Sequence, residues 1–212
     1  MTKPPRKIGV IVTGGAFWEI IFCFLHLENK RYLRLPITIN VDGDEHARYI
    51  EAKLSRAPVV HIEEIKATGI DALIIPGGKA LFDSLCDFDK AGNAFKINDI
   101  FKTLVKGIYR LGKPIGAFGS ASLLVVKSLQ GIITSEAVVT VGNDPKLQAG
   151  VGNAGAQAVV TRPGEVVLDI ENRIVSGGGE LATRRPAEVY DACENLLRGL
   201  DEFIKGRKHE KY

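Results

Sequence analysis

No stretch of this 212-residue chain is apolar for long enough to cross a bilayer. The most apolar window, 18–27, reaches about half of the roughly 20 residues that a membrane helix needs. Cysteine is scarce: Cys23, Cys86 and Cys193 are the only three, and no pair has metal-ligand spacing. An odd number fits free thiols in a reducing compartment rather than a disulfide framework. Neither sign of charge dominates, with 28 basic against 25 acidic residues and a formal net charge of +3. That excess is small and scattered, so composition points to no nucleic-acid partner. The opening segment, 1–7, is polar and has no apolar core of a signal peptide. A cytoplasmic location is expected, or a mitochondrial one if a targeting segment has been removed. No membrane insertion, metal or cofactor is expected. The run Gly177-Gly178-Gly179 lacks the lysine or threonine spacing of a phosphate-binding loop and reads as a flexible turn.

What is present is ordinary globular usage, 45% hydrophobic and 25% charged. The length suits one compact domain, and 206–212 reads as a solvated tail. Ile8-Gly9-Val10-Ile11-Val12 is an apolar strand ended by Thr13-Gly14-Gly15. A helix follows over 17–28, apolar on nearly every side and so expected to be buried on more than one face. Strands are predicted over 37–41, 59–62, 72–75, 138–141 and 158–161, with a polar helix over 45–54. The spacing of Ile97, Phe101, Leu104, Val105 and Ile108 predicts a helix ended by Gly112. Residues 166–169 and 173–175 read as a hairpin, and a last helix starts at Pro186, a favoured first-turn residue. Apolar strands alternating with helices predict an α/β fold: a doubly wound, mainly parallel sheet with helices on both faces. Ligands of such sheets sit at the carboxyl ends of the strands.

The most informative segment runs from Gly112-Lys113-Pro114-Ile115-Gly116 through Ala117-Phe118-Gly119-Ser120-Ala121. It reads as a buried strand turning sharply into a helix, the elbow on which many α/β enzymes display a nucleophile. The residue at its tip is Gly119, which has no side chain with which to attack.

Three segments carry a resemblance: Lys7-Ile8-Gly9-Val10-Ile11-Val12-Thr13-Gly14-Gly15 with Glu19 after it, Asp71-Ala72-Leu73-Ile74-Ile75-Pro76-Gly77-Gly78, and the elbow strand. With Val139-Thr140-Val141-Gly142-Asn143-Asp144 and Asn172-Arg173-Ile174-Val175-Ser176, they resemble the enhancing-lycopene-biosynthesis (ElbB-like) proteins. Those belong to the PfpI superfamily, with a flavodoxin-like, class I glutamine-amidotransferase-like fold. The likeness runs from about residue 7 to residue 204. It implies a glyoxalase-like or stress-associated protein, commonly a homodimer, whose site pairs an elbow cysteine with a carboxylate following the first strand. The cysteine position falls on Gly119 and the carboxylate position on Glu19. The chain departs from the pattern in a shorter loop between Gly15 and Glu19. It departs again where Gly177-Gly178-Gly179 replaces a Thr-Pro pair. None of His26, His46, His61 or His209 falls where the motif would use it.

An elbow glycine takes a strained conformation without steric cost, so the substitution relieves strain and deletes the thiol together. Ser120 is a candidate nucleophile lacking a visible base, or else the N-cap of the elbow helix. The amides of Ser120 and Ala121, facing those of Gly77 and Gly78, form a frame suited to a small anion or carbonyl. Glu19 is read as buried and inclined to hold its proton, or alternatively as a partly exposed first-turn residue. The expectations are therefore a binding or scaffold protein without its nucleophile, a residual lyase or hydrolase using Glu19 and Ser120 (methylglyoxal to lactate being the family-like case), or an accessory subunit of a larger assembly. Phe17, Trp18, Phe22 and Phe24 are too many for one buried face, which points to a partner subunit.

Overall fold

A computed structural model describes residues 4–14, 16–39 and 58–206. Seven strands form one sheet: β1 (Lys7–Ile11), β2 (Leu33–Thr38), β3 (Val60–His61), β4 (Ala72–Ile75), β5 (Ile115–Phe118), β8 (Val166–Asp169) and β9 (Ile174–Gly177). Their order across it is β3-β2-β1-β4-β5-β9-β8. Every neighbouring pair is parallel except β8 and β9, which are antiparallel, as the hairpin pattern predicts. The fold is thus the mainly parallel, helix-flanked sheet expected from the alternation of apolar strands with helices.

Period-two alternation explains how the strands hold two layers apart. Ile8, Val10, Val12 and Ile74 face α1 (Phe17–Asn29) and the long C-terminal helix, α7 (Pro186–Lys205), meeting Ile20, Leu27, Val189 and Leu196. Ile11, Leu73, Ile75 and Ile115 face the opposite layer. That layer comprises α2 (Lys79–Leu85), α3 (Phe88–Ala91), α4 (Asp99–Arg110), α5 (Ser120–Leu129) and α6 (Pro145–Asn153). At Gly116 a Cβ would stand 2.7 Å from Leu196 Cδ2, so glycine lets α7 press directly on the elbow strand.

Several sequence expectations are corrected. The strand predicted over 37–41 begins earlier, at Leu33, because Arg34 and Pro36 interrupt the apolar run without ending it. Pro36 is tolerated since β3 pairs only with Ile37 and Thr38, leaving the outer side of β2 unpaired at that point. The strands predicted over 138–141 and 158–161 are the short β6 (Val138–Val139) and β7 (Gln157–Ala158), which pair with each other outside the main sheet. Helix α1 buries one face only: Phe17, Trp18 and Leu25 are 39%, 40% and 44% exposed. The helix predicted over 45–54 and the tail beyond residue 206 lie outside the described residues.

Gly177-Gly178-Gly179 is not a flexible turn. Gly177 ends β9, Gly178 has αR dihedrals and caps the turn, and Gly179 is the buried first residue of a 3₁₀ turn, Gly179–Leu181, whose other two residues are exposed. This segment leaves the carboxyl end of the sheet beside the elbow.

Candidate functional site

The elbow forms as the sequence predicts. β5 ends at Phe118, and Gly119 takes φ +49° and ψ −122° before α5 begins. Gly119 is itself the N-cap, and no side chain caps the helix, so Ser120 is the first helical residue rather than its cap. The Gly119 amide donates to the Gly177 carbonyl at 2.9 Å, tying the tip to the end of β9. A Cβ added at Gly119 would stand 2.9 Å from Leu181 Cδ1 and 3.2 Å from Leu181 Cγ. The place where a cysteine side chain would start is therefore crowded by the tip of Leu181, a side chain carried there by the 3₁₀ turn and 46% exposed.

Glu19 lies on the other side of this ridge, 1% exposed in the first turn of α1. Its Oε2 accepts from the Gly77 amide at 2.6 Å, and its Oε1 from the Glu180 amide at 2.8 Å. Burial pushes the carboxyl up to about 8. The two amide bonds act against that and the neighbouring Glu180 carboxylate reinforces it, but loss of water dominates. Near neutral pH, Glu19 thus holds its proton for much of the time. The carboxyl joins three segments: α1, the loop after β4 and the loop after β9. Gly179 makes this possible, because a Cβ there would fall 1.9 Å from Glu19 Oε1.

The Gly77 amide is committed to Glu19, so of the two loop glycines only Gly78 faces open space. Gly78, at φ +115°, starts α2. Gly78, Ser120 and Leu181 line a cavity of 180 Å³ together with Phe82, Phe88 and Leu147. Ala121 does not line it and is 1% exposed. Neither the Ser120 nor the Ala121 amide has an acceptor among the described residues. At a helix start, such free donors and the helix dipole favour an oxygen with negative charge. Two exposed lysines stand at the mouth: Lys79 and Lys146 both reach Asp89, each at 2.8 Å or less.

No base is supplied to Ser120. His26 stacks on Tyr190, and His61 bonds the Ile39 carbonyl at 2.7 Å. His46 and His209 lie outside the described residues. No thiol takes the missing place either. Cys23 and Cys193 are buried between α1 and α7, and Cys193 Sγ lies 3.7 Å from the Glu19 carbonyl oxygen. Burial pushes the Cys86 thiol up to about 11, away from a reactive thiolate. Among the described residues, no three His, Cys, Asp or Glu gather as a metal site, and no helix is long and apolar enough to cross a membrane.

Sheet order, elbow and the glycine loop after β4 together define the PfpI/DJ-1-like, amidotransferase-like fold. A crystal structure of an isoprenoid biosynthesis protein with an amidotransferase-like domain, from Ehrlichia chaffeensis, superposes with a TM-score of 0.78 at 21% identity. That match covers 93% of this chain and 99% of the other. Drosophila melanogaster DJ-1beta matches with a TM-score of 0.61 at 17% identity, over 95% of this chain and 97% of its own. Among curated proteins, the mitochondrial ES1 protein of Danio rerio is 28% identical over 128 residues, 54% of this chain. The match spans 45% of that protein's length. No protein-family model matches.

Proposed function

We propose that this chain is an ElbB-like protein of the PfpI superfamily that has given up nucleophilic catalysis and binds a small molecule at the elbow. One observation carries this reading: the elbow tip is Gly119, at a positive φ and with the Leu181 side chain 2.9 Å from where a Cβ would start. A buried carboxyl held by two backbone amides and a thiol-free elbow support it further. Glu19 then acts as a clasp between three segments rather than as an acid or base. The ligand-facing groups are Gly78 and the helix start at Ser120, which suit a carbonyl or anion.

The exposed aromatic stack on α1 favours self-association. Trp18 packs on Phe22 at a centroid separation of 5.4 Å, and Phe22 meets Tyr190 of α7, so the patch is rigid and spans two helices. Similarity to a mitochondrial protein of Danio rerio favours a mitochondrial over a cytoplasmic location. A methylglyoxal turnover assay tests the central claim: no lactate above the uncatalysed background is expected. Turnover that disappears in Glu19→Ala and Ser120→Ala would replace this reading with a residual enzyme.

A further inference from the structure

The cavity beside the elbow is chemically lopsided. Its body is apolar, formed by Phe82, Phe88, Leu147 and Leu181. Its polar lining comprises Gly78, Ser120 and the charged Lys79, Asp89, Asp144 and Lys146. Ser120 is only 7% exposed, yet its hydroxyl has no hydrogen-bond partner among the described residues. Unlike the Ser122 and Ser128 hydroxyls, which are sealed from solvent, it stays open to solvent and can donate to whatever enters the cavity. It stands at the start of a ten-residue helix whose first two amides also lack acceptors. The Ser120 hydroxyl thus lines the cavity at a helix start, where the helix dipole adds a preference for negative charge.

The volume narrows the choice. A 150 Å³ apolar cavity holds about one benzene ring, and drug-sized ligands need about 300 Å³ or more. At 180 Å³, the space takes a ring or short branched chain with one head group, and it excludes a nucleotide.

The charges at the mouth do not contradict an anionic head. Asp144 is engaged as the cap of α6, accepting from the Lys146 and Leu147 amides at 2.9 and 3.0 Å. Asp89 is countered by both Lys79 and Lys146, and Lys79 also pairs with Asp83 at 2.9 Å.

We propose that this cavity binds a small monocarboxylate. Its apolar body lies among Phe82, Phe88, Leu147 and Leu181, and its carboxylate accepts from the Ser120 hydroxyl and the Ser120 amide at the start of α5. The assignment rests on the reading of the elbow as a small-molecule site and adds the chemical class of the ligand.

The test is an amide-resolved NMR titration of the full chain with benzoate and, separately, with its neutral counterpart benzamide. Benzoate is expected to give saturable shifts at Ser120 and Gly78, with benzamide about tenfold weaker. Ser120→Ala should weaken benzoate about tenfold, the usual scale for losing one hydrogen bond to a charged group. Leu147→Phe, which fills the cavity without touching the polar end, should abolish binding of both probes. Benzamide binding at the elbow as tightly as benzoate, or benzoate indifferent to Ser120→Ala, overturns the carboxylate assignment and leaves the small-molecule reading standing. If neither benzoate, benzamide nor a panel of neutral and cationic fragments shifts the elbow amides, both fall together.

Discussion

Oε1 of Glu19 stands 1.9 Å from the place where a Cβ on Gly179 would lie, so the carboxyl and the loop over it fit only because residue 179 has no side chain. Gly179 also sits at φ +53°, where L-residues are strained. Gly179→Ala is therefore expected to destabilise the protein by about 3 kcal/mol or more, combining overpacking with backbone strain. Urea denaturation measures this. Adding Glu19→Ala should recover part of the loss, because it removes the atom in the way. Strict additivity of the two changes would contradict the contact.

Glu19 also sets a pH dependence. Its carboxyl is raised from 4.5 to about 8, so between those values the folded chain holds a proton that the unfolded chain has released. Stability should fall as pH rises across this window and level off above it, by at most about 1.4 kcal/mol per pH unit from this one group. Thermal denaturation at pH 5, 6.5 and 8 reads the slope. Glu19→Gln should flatten it. At pH 5 the same variant should lower stability by about 1–3 kcal/mol, since its NH₂ must face either the Gly77 or the Glu180 amide, and the gap should narrow or reverse as pH rises.

Gly119 and Leu181 should be energetically coupled. Gly119→Ala places a methyl group 2.9 Å from Leu181 Cδ1 at a positive φ, an expected cost of about 1–3 kcal/mol. In a Leu181→Ala background only the backbone component remains. A double-mutant cycle should thus show a favourable interaction term of at least about 0.5 kcal/mol. Gly119→Cys alone is expected to yield no methylglyoxal turnover, whereas Gly119→Cys with Leu181→Ala tests whether the cleft can be reopened.

Thiol chemistry gives a simple check on the packing. With Cys86 pushed up to about 11, fewer than about one molecule in a thousand carries a thiolate there at pH 7.5. Cys23 and Cys193 are buried. A colorimetric thiol reagent should react slowly with the native protein and rapidly with three thiols in guanidinium. Fast native reaction of two or more would show that α1 and α7 are less tightly closed than described.

Much of this was legible in the residues. Apolar strand runs, the helical spacing of Phe101, Leu104, Val105 and Ile108, and the Gly119 tip all follow from local rules that the fold obeys. The burial of Glu19 between Trp18 and Ile20 was also readable, because a lone acid in an apolar turn must face something. What escaped were contacts between distant segments. Gly177-Gly178-Gly179 looks like a loose turn because glycine runs usually solvate. Here the need for glycine comes from Glu19, some 160 residues away in sequence. Leu181 carries no local sign that it will cover Gly119. Ser120 satisfies every local criterion of an N-cap, yet the positive φ of Gly119 shifts the helix start by one residue.

Leu181 belongs to two structures at once: it covers Gly119, and it walls the cavity at Ser120. The backbone amide of its neighbour Glu180 donates to the Glu19 carboxyl. Occupancy of the cavity and protonation of Glu19 thus act on one short turn. By thermodynamic reciprocity, any ligand that displaces Leu181 and alters Glu19's hold on its proton must itself bind with a pH-dependent affinity, changed by the same factor. The segment that replaced the nucleophile's space would then serve as the mechanical link between a proton and a ligand that never touch.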